Sequence, residues 1–250
     1  MKQLIINADD FGINEAVTSE IERMIELQAI TSTTVMANGK CLDEVRHFAP
    51  LHPEVSFGVH LCLSEYTSLT RSDALCQAGI TDDEGKFIHK AIFDIKSFTD
   101  DGKRAIEDEL NAQIDVVSSL GFPLSHADSH HHVHTIYPLR QLFAEVLQKR
   151  GIERVRLGTG FYGWRSRRHL VLWLQRVKLN KYYKTRFVTT DAFCSYASYV
   201  KSGAQHNDAL VELMCHPGHS GKTFIDEMEL VASKKALSTD IKLISYNDLH

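Results

Sequence analysis

Residues Ser125 to His134 read SHADSHHHVH, four histidines within five residues just after an aspartate. Imidazoles at that density beside a carboxylate point to a metal site. Read as the end of a β-strand, the run places Asp128, His130 and His132 on one face by its period of two, with His126 behind them. Three further polar groups stand out: Asp9 and Asp10, His60 within FGVHLCL, and His216 within MCHPGHSG. A divalent ion on two imidazoles and one carboxylate keeps positions open for water and a carbonyl, which suits hydrolysis. A second carboxylate then serves as base, and adjacent aspartates at a strand terminus point in different directions, so one can ligate while the other takes the proton. Cleaving an amide also requires protonation of the leaving nitrogen, and His216 suits that role because an unperturbed imidazole titrates near neutrality.

Positioning these groups is the task of alternating elements. Leu4 to Ile6 opens as a short buried strand, and Asn14 to Ala29 follows with helical spacing through Val17, Ile21, Met24 and Ile25. Thr33 to Ala37 and Val55 to Leu63 read as strands, with Cys41 to Ala49 as a helix between them. Lys103 to Leu120 is helical and stops at Gly121, ahead of the His-rich strand. Leu139 to Lys149 predicts another helix, and Val155 to Leu157, Leu210 to Cys215 and Lys242 to Ser245 predict strands. Repeated βα units imply parallel strands with helices outside, as a barrel or an open doubly wound sheet. The first turn is acidic rather than glycine-rich, which argues against a dinucleotide fold. In parallel α/β folds sites lie at the carboxyl ends of strands, where every one of these polar clusters falls. Each alone has a bland explanation, as a helix cap or a hydrogen-bonded core histidine. Together they argue for a single centre.

Two stretches break the rhythm. Tyr66 to Lys90 carries turn residues without a clean period and reads as a long loop over one end of the domain. Residues 162–190 hold eight Lys or Arg and no carboxylate, with apolar residues at Trp164, Leu170, Val171, Trp173, Leu174 and Val177. Such a basic amphipathic segment fits an anionic substrate or a membrane surface, although a solvated helix face is the commoner meaning, so membrane contact is not favoured.

With 250 residues and a formal net charge of −4, the chain is sized for one domain spanning 1–250 and gives no whole-chain electrostatic case for nucleic acid. The five cysteines, Cys41, Cys62, Cys76, Cys194 and Cys215, are scattered and odd in number, as expected of reduced thiols in a cytoplasmic protein. The N-terminal apolar run is too short for a signal-peptide core. A homodimer is compatible with these features.

Five segments in order, NADDFG (7–12), AITSTTVMAN (29–38), GVHL (58–61), HADSHHHVH (126–134) and MCHPG (214–218), resemble the YdjC-like carbohydrate deacetylase family over nearly the whole chain. The resemblance implies a distorted (β/α) barrel of parallel strands, one divalent metal ion, Mg²⁺ or Zn²⁺, and hydrolysis of the N-acetyl group of an amino sugar such as a chitooligosaccharide. It further implies Asp10, His60 and His130 as metal ligands, Asp9 as general base and His216 as general acid. A lipid-linked amino sugar is an alternative substrate that would give the basic segment a purpose. Metal-dependent amidohydrolases of other amides also use barrels with an HxH pair, but theirs follows the first strand, whereas His132 and His134 lie mid-chain. A glycosidase would leave the histidines unexplained, and a metal-storage or membrane-surface module would leave the aspartate pair idle.

Overall fold

The computed structural model describes residues 2–158, 167–202, 210–218 and 241–250, with side chains described in these ranges except at 167–173 and 200–202. Its frame is a seven-stranded sheet, formed by β1 (Lys2–Phe11), β2 (Ser32–Val35), β3 (Ser56–Leu61), β4 (Ala127–Ser129), β5 (Ala192–Ser195), β6 (Leu210–Cys215) and β7 (Ile241–Leu243). All named pairings are parallel, in the order β4-β3-β2-β1-β6-β5, with β7 also on β1. Parallel strands need covering on both faces. Accordingly β1, β2, β3 and β4 are buried almost throughout, including their polar residues.

Val155 to Leu157 does not form a regular strand, yet it helps close the barrel. Ala127 bridges to Val155, Arg154 bridges to Val188, and the chain from Val188 runs directly into β5. The circuit is distorted because β1 divides one edge between two partners: Lys2 to Leu4 face β7, whereas Asn7 to Phe11 face β2. The result is the expected distorted barrel of parallel strands, with helices outside.

The helices follow from local signals. In α1 (Glu15–Glu26) the Asn14 side chain caps Val17 N–H, and Val17, Ile21, Met24 and Ile25 turn inward. The helix α2 (Leu42–Phe48) links β2 to β3. The stretch read as a long loop holds two short helices, α3 (Asp73–Gln77), capped by Ser72, and the start of α4 (His89–Asp94), with antiparallel bridges at Thr67–Lys86 and Thr81–Phe87. It is pinned to α5 (Asp100–Ser118), where the buried Glu109 carboxylate accepts from Leu69 N, Thr70 N and Thr70 Oγ1. Gln113 on the same helix exchanges two hydrogen bonds with the Cys62 backbone, so the chain leaving β3 is held at both ends.

After α6 (Tyr137–Lys149), the described part of the basic segment forms α7 (Arg167–Lys184), and α8 (Tyr196–Ser202) follows β5. Leu179 and Tyr183 of α7 are buried, whereas Leu174 and Val177 stand exposed. Trp164 and Arg165 lie outside the described residues, as do the side chains of Leu170, Val171 and Trp173. No helix among the described residues is long and apolar enough to cross a membrane.

Candidate metal centre and active site

The carboxyl end of β1 bends where the chemistry begins. Pairing with β2 slips between Ala8 and Phe11, and Asp10 adopts a left-handed backbone (φ 73°). A regular strand would send adjacent aspartates to opposite faces. The irregularity instead keeps both at the same end of the barrel, each buried and each with its own partners. Asp10 Oδ1 lies 3.2 Å from His60 Nε2 and 2.9 Å from His130 Nδ1, and the two nitrogens are 3.3 Å apart.

Outer partners set the tautomers. His60 Nδ1 donates to Asp128 Oδ1 at 2.6 Å, which its register opposite His60 on β4 places there, and His130 Nε2 donates to Glu65 Oε2 at 2.9 Å. His60 Nε2, His130 Nδ1 and Asp10 Oδ1 therefore all turn lone pairs toward one point. Donors at right angles around an ion about 2.1 Å away stand about 3.0 Å apart, so this set fits a small divalent cation. Two imidazoles favour a transition ion such as zinc over magnesium on ligand softness, although the set admits either. Burial lowers the His60 pKa, but the Asp128 and Asp10 carboxylates outweigh it and hold the metal-free ring well above its ordinary value.

Asp9 is held by other partners, although a ligand atom each of Asp9, His60 and Asp128 lies within 4.8 Å of the others. Its carboxylate takes two hydrogen bonds from the buried Arg156, Nη1 to Oδ2 at 2.6 Å and Nη2 to Oδ1 at 2.7 Å, and another from Asn7 Nδ2 at 2.8 Å. Burial would raise the Asp9 pKa, yet the Arg156 charge and hydrogen bonds drive it well below the usual carboxylate range. Arg156 also pairs with Asp128 and, through Nε at 2.7 Å, with Glu212, whose other oxygen accepts from Tyr246. His216 Nε2 stands 4.0 Å from Asp9 Oδ2 on the β6 side. The cavity between these walls measures about 620 Å³, within the roughly 300–1,000 Å³ range of small-molecule sites. Tyr66, His89, Phe93 and Met214 also line it.

The strand reading of the histidine run fails after Ser129. His130 begins a tight turn in which His131 and His132 both take left-handed backbone (φ 54° and 56°), conformations costing about 1–2 kcal/mol each for non-glycine residues. Asp128 and His130 still reach the same cluster, but His132 turns to the opposite wall against Phe193, and His134 is buried against Ser129 and Tyr183. His126 is buried on the same inner face, its Nε2 3.2 Å from Asn7 Oδ1, and stacks on Tyr246 with ring centroids 3.8 Å apart. Gly58 makes that stacking available, since a Cβ there would sit 2.6 Å from the His126 ring. Sequence reasoning missed Arg156, Glu65 and Glu212. A lone arginine in the apolar run Val155 to Leu157 was the available signal.

This buried chemistry predicts acid lability. Burial, helped by Arg156 for His126 and by His132 for His134, holds both rings well below an ordinary histidine pKa, while burial pushes Glu212 up to about 7 against the pull of Arg156. Below pH 6.5 the unfolded chain binds four protons that the native state largely refuses, on these two histidines and on His131 and His132, which burial lowers to about 4 and about 3, while native Glu212 retains one that the unfolded chain releases. His60, raised above 6.5, is protonated in both metal-free states there and adds no slope. A net difference of about three protons makes stability fall by about 4 kcal/mol per pH unit between pH 6 and 5. Urea melts in EDTA at both values check this; equal or greater stability at pH 5 would contradict it.

A carbohydrate deacetylase of Listeria monocytogenes serotype 4a is 27% identical over 99% of this chain and 100% of its own length, and one of Vibrio parahaemolyticus is 29% identical over 96% and 86%. A candidate cellobiose-phosphate cleavage protein of Enterococcus faecalis superposes with a TM-score of 0.72 at 25% identity, covering 98% of this chain and 97% of that one. The lactam utilization protein of Thermus thermophilus shares the fold, with a TM-score of 0.54 at 14% identity over 98% and 100% of the two chains. The profile of YdjC-like proteins matches residues 3–243, from β1 through β7, and the chain belongs to that family.

Proposed function

We propose that this protein is a metal-dependent carbohydrate deacetylase that hydrolyses the N-acetyl group of an amino sugar, with an N-acetylated chitooligosaccharide as the substrate class. The observation that carries the reading is the convergence of Asp10, His60 and His130 beside a separately held Asp9. Relatives named carbohydrate deacetylase that match nearly end to end support the sugar and the reaction. In this reading Asp10, His60 and His130 hold one divalent ion, which when bound supplies Lewis acidity toward the acetyl carbonyl and toward water.

The chain's own groups do the rest. Asp9 accepts the proton of the attacking water, and Arg156 keeps it ionised and fixed in direction at the expense of basicity. Glu212 and Asp128 draw on the same guanidinium, which limits that loss. His216, 4.0 Å from Asp9, delivers a proton to the departing nitrogen. Phe93, 44% exposed at the rim, offers a flat apolar face for a sugar ring.

Acetate release from N-acetylated chitooligosaccharides tests the reaction, with a phosphorylated disaccharide as a second substrate arm. Asp9→Asn is expected to retain metal while turnover falls about a hundredfold or more, the scale of a general base. Asp10→Asn is expected to weaken metal binding itself. Loss of the ion from Asp9→Asn but not from Asp10→Asn would mean the two roles are reversed.

A further inference from the structure

A second donor set stands at the cavity mouth. His130 Nε2 is 2.9 Å from Glu65 Oε2, and the His131 ring lies beside it with centroids 4.0 Å apart. One ligand atom each from Glu65, His130 and His131 lies within 4.8 Å of the others. Ser64 Oγ, 2.9 Å from His131 Nδ1, orients that ring, and His89 meets its edge at 4.8 Å. A hydrogen bond to steer His130 would require Glu65 alone. It leaves unexplained why the left-handed backbone at His131 turns a second imidazole onto the same carboxylate, where solvent and ions have access.

We propose that Glu65, His130 and His131 form an outer site for a second transition-metal ion, joined to the inner site through the His130 ring. This rests on the reading of Asp10, His60 and His130 as the inner site. The two imidazoles are borderline-soft donors, which favour zinc or copper over magnesium beside the one carboxylate. As the outer ion binds, the His130 Nε2 proton is released to solvent and the ring bridges the two ions. Because Glu65 and the three rings of His89, His130 and His131 border the cavity, an ion there obstructs it. Excess zinc therefore inhibits an enzyme that one equivalent activates.

Zinc binding to the metal-free protein, measured by equilibrium dialysis alongside acetate release during zinc titration, tests both sites separately. Wild type is expected to bind two zinc ions, with activity rising over the first and falling at least fivefold over the second. His131→Ala is expected to bind one ion and to keep its activity in excess zinc. His131→Asn, which suits left-handed backbone, guards against a local folding defect, and Glu65→Gln is expected to lose the second ion as well. Asp10→Asn reports on the inner site alone and is expected to retain outer zinc without activity. A wild type that binds one ion, retained in His131→Ala, would overturn the outer site while leaving the inner one standing. Two ions in His131→Ala would also overturn it. Undiminished binding in Asp10→Asn would instead count against the inner site.

Discussion

His60→Ala is expected to abolish tightly bound metal and lower kcat/KM by about a thousandfold, while the protein stays folded. Lewis-acid stabilisation amounts to several kcal/mol, and each 1.36 kcal/mol is a factor of ten in rate. Removing one of the three proposed ligands forfeits most of it. Asp128→Asn makes a sharper control: it leaves all three ligands in place but alters the carboxylate that orients His60 at 2.6 Å. Changes of that kind cost about 10–100-fold in metal affinity. Metal content per chain after dialysis, measured beside acetate release, separates the two. A His60→Ala protein that keeps one ion per chain would remove His60 from the ligand set.

The largest effect on stability is expected at Arg156. Its side chain is wholly buried and pairs with Asp9, Asp128 and Glu212. In Arg156→Met three buried carboxylates lose their counter-charge, and breaking a buried ionic group in this way costs about 3–5 kcal/mol. For a chain of this size that corresponds to a Tm lower by roughly 6–20 °C. The pull on Asp9 also weakens: without Arg156, burial acts against only the smaller influences of His60 and His216, and the pKa rises from its depressed native value. Stability contributed by wild-type Asp9 is fully present above the unfolded carboxylate value near 4 and is lost as pH falls through the depressed native value. In the variant that contribution shrinks, and the double change Arg156→Met with Glu212→Gln should recover part of the loss. A Tm within 2 °C of wild type would show, on the same scale, that the carboxylates find other partners.

The sequence was most legible where hydrophobic periodicity and chemistry coincided. The core faces of α1 and α5 and the strand Leu210–Cys215 follow directly from spacing. β1 extends well beyond Leu4 to Ile6 because Asn7, Asp9 and Asp10 interrupt its apolar run while remaining buried in the sheet. That interruption is the price of building a site into a strand. The geometry of the histidine run was hidden for a different reason: left-handed turns at His131 and His132 occur without the glycine or asparagine that usually announces one. The role of Arg156 was hidden, beyond its oddity in an apolar run, because its partners come from β1, β4 and β6, and their convergence is a property of the curled sheet rather than of any local pattern. β5 and α3, four and five residues long, are too short to show a period.

The divided edge of β1 has a consequence for biogenesis. A nascent chain emerges from the ribosome with its first strand ready, but two of that strand's three partners, β6 and β7, are translated roughly two hundred residues later. Until then β1 carries one wholly open flank along Leu4 to Ile6, an apolar template for pairing with neighbouring polypeptides. Helix-rich segments such as α5 and α6 are free to form early, whereas both flanks of β1 are filled only once β6 and β7 have been made. The cavity wall that carries His216 therefore takes shape only after β6 has been made, long after β1 and its aspartates.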